Sequence, residues 1–434
     1  MKGIIFEFRS HHLYCLRTVV LLVLTLCGMP FRVDAESDLY GVNPGPYGAR
    51  VEETLVLHDG KRGKDLQLRI TYPDGGRGFP VIVWSHGAKG TKDMYQPLIK
   101  HWVSHGYVCI QPNHSDSRAF GFKTSKTETF RDWQSRPEDI VFVLDALDEI
   151  ARRVNGLGDR MDKSLIGVGG HSFGAHTAQL IGGAEVRDPR ASAGYRSYAD
   201  RRTRAVMLLS PQGSGPESLL DSGSWRNMRL PAISLTGSND LGRTGKNWRW
   251  RLEPFLYAPP QDKYLVYIEG AHHGFGGLVG VADFPNAGPE DPEQVRYVRA
   301  SSLAFWDAYL KKSDTAMAFL RGDKLERLSH GKARLLPGGV SDSEIEKLGQ
   351  GLQSGDRAQG GTLPAGKIVS TFDRDGNGFL NRDEMPPRLA PAFDRIDRNG
   401  DGLVSEEELT RGLESLRGRE NPALNPPDRP RQLQ

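Results

Sequence analysis

The sequence predicts an α/β fold, a mostly parallel sheet covered by helices, followed by a small all-α domain. Three observations carry this. Short apolar runs alternate with amphipathic stretches from Leu66 to Leu310. A Gly-His-Ser-Phe-Gly turn sits where one apolar run meets a helical one. Two acidic twelve-residue loops lie near the C-terminus.

The order of elements follows from these runs. Leu66–Tyr72, Pro80–Trp84 and Tyr107–Gln111 read as strands, being short, β-branched and bounded by Gly or Pro. Pro137–Val154 reads as one helix, with Ile140, Val143, Leu144, Leu147 and Ile150 at helical spacing and Pro137 in its first turn. Leu165–Val168 is a strand and Phe173–Ile181 a helix. Ala205–Leu209, Ala232–Leu235 and Tyr264–Ile268 are further strands, and Val295–Leu310 is a helix carrying Leu303, Phe305, Trp306 and Tyr309. Strands this uniformly apolar, separated by helices, belong in a parallel sheet buried on both faces.

The ends read differently. Arg9, His11, His12 and Arg17 precede an apolar run, Thr18–Gly28, that is short for a bilayer span. Val33-Asp34-Ala35 then offers a cleavage site, so residues 1–35 are expected to be a signal peptide and the mature chain secreted or periplasmic. Retention of the leader as an anchor is the alternative. With Cys15 and Cys27 in the leader, Cys109 is the mature chain's sole cysteine, expected as a small buried hydrophobe. Residues 36–330 are assigned to the catalytic domain and 331–366, rich in Gly, Ser and charge, to a linker with a weak helix near 345–352. Residues 367–417 form a second unit, and 418–434 a disordered Pro-rich tail. With 57 basic and 54 acidic residues, the charge is too balanced to argue for a nucleic-acid partner.

Gly170-His171-Ser172-Phe173-Gly174 is a G-x-S-x-G turn with a strand before it and a helix after it, the context that lifts a serine to the end of a sheet. Ser172 is the expected nucleophile. A hydroxyl needs a base, and in this arrangement acid and base follow in the order Ser, Asp, His. Asp240 follows the strand Ala232–Leu235 and is the expected acid; Asp221 and Asp262 follow no strand. His273 is the expected base, with His272 beside it as the alternative. The expected oxyanion donors are the backbone N–H groups of Phe173 and of Ala88, in Ser85-His86-Gly87-Ala88.

Trp84-Ser85-His86-Gly87, the Ser172 turn, Thr236-Gly237-Ser238-Asn239-Asp240 and Gly270-Ala271-His272-His273 together resemble the dienelactone-hydrolase-like α/β-hydrolases. Within that group they look most like the platelet-activating-factor acetylhydrolase and bacterial polyester hydrolase branch. The resemblance spans about residues 50–322. It implies an α/β-hydrolase fold and a serine esterase working through an acyl-enzyme. Its Gly three residues before the catalytic His points to His273. Dienelactone hydrolases carry a cysteine nucleophile where this chain has Ser172. A phospholipid-type acyl hydrolase, and a calcium-dependent docking protein with an inactive hydrolase fold, are the other readings. The substrate is expected to be a small-molecule or polymer ester. Trp225, Trp248 and Trp250 are residues that could line its pocket.

Asp373–Glu384 fits the EF-hand loop, with Asp373, Asp375, Asn377, Asn381 and Glu384 as side-chain ligands, Phe379 giving its carbonyl and Gly378 at the turn. Asp397–Glu408 repeats it with Asp397, Asn399, Asp401, Ser405 and Glu408, and the carbonyl of Leu403. The pattern calls for two calcium ions and no cofactor for catalysis. Ile368, Phe372, Phe393, Ile396, Leu409 and Leu413 are expected to pack the two hands into one core. A protein partner of this unit is a further expectation, and a membrane span after leader cleavage is not expected.

Overall fold

The computed structural model describes residues 38–121, 133–188, 191, 194–242, 246–280, 286–350, 365–373, 375–385, 389 and 392–420. The leader, most of the 351–366 stretch and the tail beyond 420 lie outside the described residues.

Among the described residues, a ten-stranded sheet organises the chain. In chain order the first strands are β1 (Ala49–Glu52), β2 (Val56–Asp59), β3 (Lys64–Pro73), β4 (Phe79–Ser85), β5 (Val108–Pro112) and β6 (Met161–His171). A two-stranded pair, β7 (Glu185–Arg187) and β8 (Tyr195–Ser197), stands apart. The sheet resumes with β9 (Thr203–Leu209), β10 (Ala232–Asn239), β11 (Lys263–His272) and β12 (Ala333–Pro337). The spatial order is β1-β3-β5-β4-β6-β9-β10-β11-β12, with β2 paired to β3. From β5 to β11 all neighbours are parallel. Antiparallel pairs close both edges.

Period-two alternation divides the side chains between two cores. In β4, Val81 and Val83 join one buried cluster while Ile82 and Trp84 join the other; in β9, Val206 and Leu208 oppose Met207 and Leu209 in the same way. Each cluster is then covered by helices. The long helix Pro292–Leu310 packs Leu303, Phe305 and Trp306 on the Trp84 side. Its start is set by Asp291, whose carboxylate accepts from the N–H groups of Glu293 and Gln294, with Pro292 at the first position. Cys109 is a free, buried thiol in this core.

Two readings need correction. The run 137–154 forms two helices, Ser135–Asp145 and Leu147–Arg153, because Ala146 leaves helical geometry at φ −91° and ψ 4°. Both segments still bury their apolar side in one cluster. The stretch read as linker from 331 carries β12, whose residues 333–337 pair antiparallel with 264–268 of β11. Five residues with Ala333 and Leu335 facing inward give too brief an alternation to stand out in the sequence. The weak helix expected nearby is a single short one, Asp342–Glu346, with a capping box between Ser341 and Glu344.

The C-terminal unit consists of helices Ala365–Phe372, Phe393–Ile396 and Glu406–Glu420 with a two-stranded ribbon, β13 (Leu380–Asn381) against β14 (Leu403–Val404). Ile368, Phe393, Ile396 and Leu409 are buried in its core, with Phe372 and Leu413 against them. The last helix carries three residues beyond the expected boundary at 417. Among the described residues, no helix is long and apolar enough to cross a membrane.

Candidate active site and calcium loops

The Ser172 turn is built by close backbone approach. Ser172 adopts φ 56° and ψ −116°, a strained conformation between β6 and the helix Phe173–Ile181. Its N–H donates to the Leu209 carbonyl at 2.9 Å, tying the turn to the end of β9. A Cβ on Gly174 would lie 1.9 Å from the Ser85 carbonyl oxygen, and one on Gly170 2.3 Å from Gly174. Only glycine fits either place, so the two motif glycines are explained by contact. The fold is that of an α/β-hydrolase.

Asp240, at the end of β10, is fully buried and meets His273 at the end of β11: Asp240 Oδ1 lies 2.7 Å from His273 Nδ1. Ser210 Oγ bridges them, donating to Asp240 Oδ1 at 2.9 Å and lying 2.8 Å from His273 Nδ1. Thr236 Oγ1 donates to Asp240 Oδ2 at 3.1 Å. These partners place the proton of His273 on Nδ1, which makes Nε2 its basic nitrogen. Burial opposes the charge on Asp240, but Arg251 and His273 beside it outweigh that and hold its carboxyl at about 2. Burial also pushes His273 below the ordinary 6.5, with Arg251 adding to the shift and Asp240 opposing it.

His272 does not share this geometry: its ring meets Asn239 at 3.2 Å on the outer side. Asp221 binds the Tyr195 hydroxyl, and Asp262 accepts from Tyr309. The Ser172 hydroxyl makes no hydrogen bond to protein among the described residues. The residue before it, His171, does contact His273. The His171 ring packs on the His273 ring at 4.6 Å between centroids, and His171 Nε2 donates to the His273 carbonyl at 2.9 Å.

A buried relay continues from there. With Nε2 of His171 donating, its Nδ1 accepts from the Tyr95 hydroxyl at 3.1 Å, and that oxygen accepts from the Gly87 N–H at 3.0 Å. Gly87 belongs to the loop expected to supply an oxyanion donor. Tyr95, Ser210 and Arg251 were missed in the sequence because each is set by contacts between distant segments. Only the position of Ser210 directly after strand β9 could have drawn notice.

A second string of the same residue types lies nearby. Ser85 Oγ is 2.8 Å from His114 Nε2, and His114 Nδ1 is 2.9 Å from Asp139 Oδ2. All three residues are fully buried, and Asp139 also accepts from Lys64 Nζ. Burial brings His114 down to about 4. Sealed from substrate, this string ties β4 to the helix Ser135–Asp145.

The tryptophans do not form a common pocket wall. Trp225 is wholly buried and donates to Gln179 Oε1 at 2.9 Å, which makes it a core residue. Trp248 packs on Tyr267 at 4.8 Å, and Trp250 donates to the Ser214 carbonyl.

In the first C-terminal loop, Asp373, Asp375 and Glu384 offer oxygens all within 4.8 Å of one another, a donor set suited to a hard cation. Asp373 accepts from the N–H groups of Gly376 and Gly378, and Asn377 Oδ1 from that of Phe379, which curls the loop around this cluster. In the second loop, Asp397 likewise accepts from Gly400 and Gly402, Asp401 from Leu403, and Glu408 from Ser405. Asn399 accepts from Asp401. Asn381 and Leu403, two of the expected ligands, are cross-strand partners in the β13–β14 ribbon.

The family model described as chlorophyllase matches residues 50–182, which run from β1 through the Ser172 turn. An EF-hand model matches residues 389–413, around the second loop. No curated protein matches the chain. The chain is thus similar to a carboxylic-ester hydrolase family over its N-terminal half of the sheet and to calcium-binding EF hands at its C-terminus.

Proposed function

We propose that the protein is a serine carboxylic-ester hydrolase working through an acyl-enzyme on Ser172, exported and fitted with a two-ion calcium module. The reading is carried by one observation: the buried Asp240–His273 hydrogen bond of 2.7 Å set beside the strained turn that presents Ser172. Ser172 Oγ attacks the ester carbonyl as His273 Nε2 takes its proton. Asp240 fixes the His273 tautomer and stabilises the imidazolium. The N–H groups of Ala88 and Phe173 bind the developing oxyanion. His273 then protonates the leaving alcohol, and water, activated by the same nitrogen, releases the acid.

The catalytic domain extends from residue 36 through β12, after removal of a leader at Ala35, which places the protein in the periplasm or outside the cell. Asp373, Asp375, Asn377, Phe379, Asn381 and Glu384 hold one calcium; Asp397, Asn399, Asp401, Leu403, Ser405 and Glu408 hold the other. These ions fold the C-terminal unit, a surface available to a protein partner, and take no part in ester cleavage.

The test is hydrolysis of p-nitrophenyl acetate, butyrate and longer esters by the chain from Glu36, beside Ser172→Ala. Turnover by wild type and none by the variant is expected, with chain-length preference defining the acyl class. Equal rates for the two folded proteins on every ester would sink the proposal and favour a docking role.

A further inference from the structure

Arg136 lies in the first turn of the helix Ser135–Asp145, far from Ser172 in sequence, and is 1% exposed. Its guanidinium is committed on every edge. Nε and Nη2 donate to the two carboxylate oxygens of Asp116 at 3.0 Å each, a bidentate pair. Nη1 donates to the His86 carbonyl at 2.8 Å, and Nη2 to the Gly87 carbonyl at 3.2 Å. The group also lies 4.5 Å above the Phe173 ring.

The Gly87 carbonyl has two further donors. His86 Nε2 accepts the His114 N–H, so its proton sits on Nδ1, which donates to Gly87 O at 2.7 Å. The Gly90 N–H donates to the same oxygen at 2.9 Å. In a planar trans peptide the C=O and the following N–H point in opposite directions. Drawing the Gly87 carbonyl inward toward Arg136 therefore turns the Ala88 N–H outward. That N–H has no protein partner among the described residues. The next residue, Lys89, is left-handed at φ 59° and is held there by its N–H to Asp116 Oδ2 at 3.0 Å. The loop also borders the nucleophile turn: a Cβ on Gly87 would stand 3.4 Å from His171 Nδ1.

We propose that Arg136, clamped by Asp116, is a positioning residue that aims the Ala88 N–H at the oxyanion. This rests on the Ser172 esterase reading. It assigns a buried ion pair to the chemistry of the site, through a peptide plane and without contact to substrate. A lysine cannot reproduce the fork, since its ammonium cannot hold a carboxylate bidentately while reaching two carbonyls.

The experiment uses the full chain with Arg136→Lys, which keeps the charge beside Asp116, and Arg136→Met. Each is also placed in an Ala88→Pro background that lacks the N–H. A misplacement of about 1 Å at a reacting centre costs roughly 10²-fold. The expected result is a kcat lower by about that factor with KM unchanged, and faster exchange of the Lys89 and Gly90 amides. Little or no further loss should occur in the Ala88→Pro background, because interacting residues are non-additive. Wild-type kcat in folded Arg136→Lys, or full additivity with Ala88→Pro, would overturn the inference. So would unchanged amide exchange. If Arg136→Met does not fold, the lysine variant decides. An inactive wild type would instead refute the esterase reading, and the exchange measurement would still decide whether Arg136 pins the loop.

Discussion

Arg251 Nε lies 2.9 Å from Asp240 Oδ1, and neither side chain reaches solvent. Its other nitrogens donate to the carbonyls of Ser210, Pro211 and Leu241, so one guanidinium binds the ends of β9 and β10 together around the acid. Removing one member of a buried ion pair costs about 3–5 kcal/mol, because the remaining charge is uncompensated. Arg251→Met is expected to lower the urea unfolding free energy by that order. The pH dependence should move with it. In wild type, Asp240 is depressed from 3.8 to about 2, so its contribution is complete above 3.8 and is lost as pH falls through about 2. Without Arg251 the loss should begin at higher pH, which acid unfolding followed by tryptophan fluorescence would detect. Coincident acid transitions for the two proteins would refute this assignment.

The proposed role of His273 as base carries its own pH profile. His273 must be neutral to accept the Ser172 proton, and burial, then Arg251, favour the neutral form. The acid limb of kcat/KM is therefore expected below the ordinary histidine value of 6.5. Asp240→Asn should remove the group that fixes the tautomer and reduce kcat by roughly 10⁴-fold. Steady-state rates between pH 4 and 9 test both statements, and an acid limb above 6.5 would contradict the first.

What was legible in the sequence divides along physical lines. The central strands and the helix Phe173–Ile181 were legible because full burial on both faces leaves uninterrupted apolar runs. Ser172, Asp240 and His273 each stand at a strand end, which is what drew them together in the sequence, and the structure joins Asp240 to His273. The choice between His272 and His273 needed the side-chain directions that put one ring on Asp240 and the other on Asn239. Edge strands such as β2 and β12 were not legible, since short half-exposed strands carry little pattern. Arg136 and Arg251 were hidden for another reason. Charged residues in a sequence look like surface, and only the fold shows carbonyls converging on them.

The turn glycines make a steric prediction. A methyl at Gly174 would lie inside the van der Waals surface of the Ser85 carbonyl, and both belong to rigid elements. Overpacking of this kind costs 1–3 kcal/mol or more. Gly174→Ala is expected to lower thermal stability and to displace Ser172, reducing phosphonylation by a fluorophosphonate probe even in the fraction that folds. Wild-type labelling at wild-type stability would show that the β4 end gives way easily.

The calcium loops can be tested one at a time. Position twelve of an EF-hand loop gives two oxygens to the ion, so replacing its carboxylate by an amide removes both a charge and bidentate coordination. Glu384 and Glu408 also organise their loops, accepting from the N–H groups of Asn381 and Ser405. Titration calorimetry should find two calcium ions per wild-type chain and one each for Glu384→Gln and Glu408→Gln. Like charges about 4 Å apart repel by roughly 1 kcal/mol even in water. Chelation should therefore loosen the first loop, where three carboxylates converge, and lower far-UV helicity from Ala365–Phe372 and Glu406–Glu420. Ester hydrolysis should persist in chelator, since Ser210, Thr236 and Arg251, which hold the Asp240–His273 pair, all lie outside these loops. Loss of turnover on chelation, restored by calcium, would instead make the module a regulator of the catalytic domain.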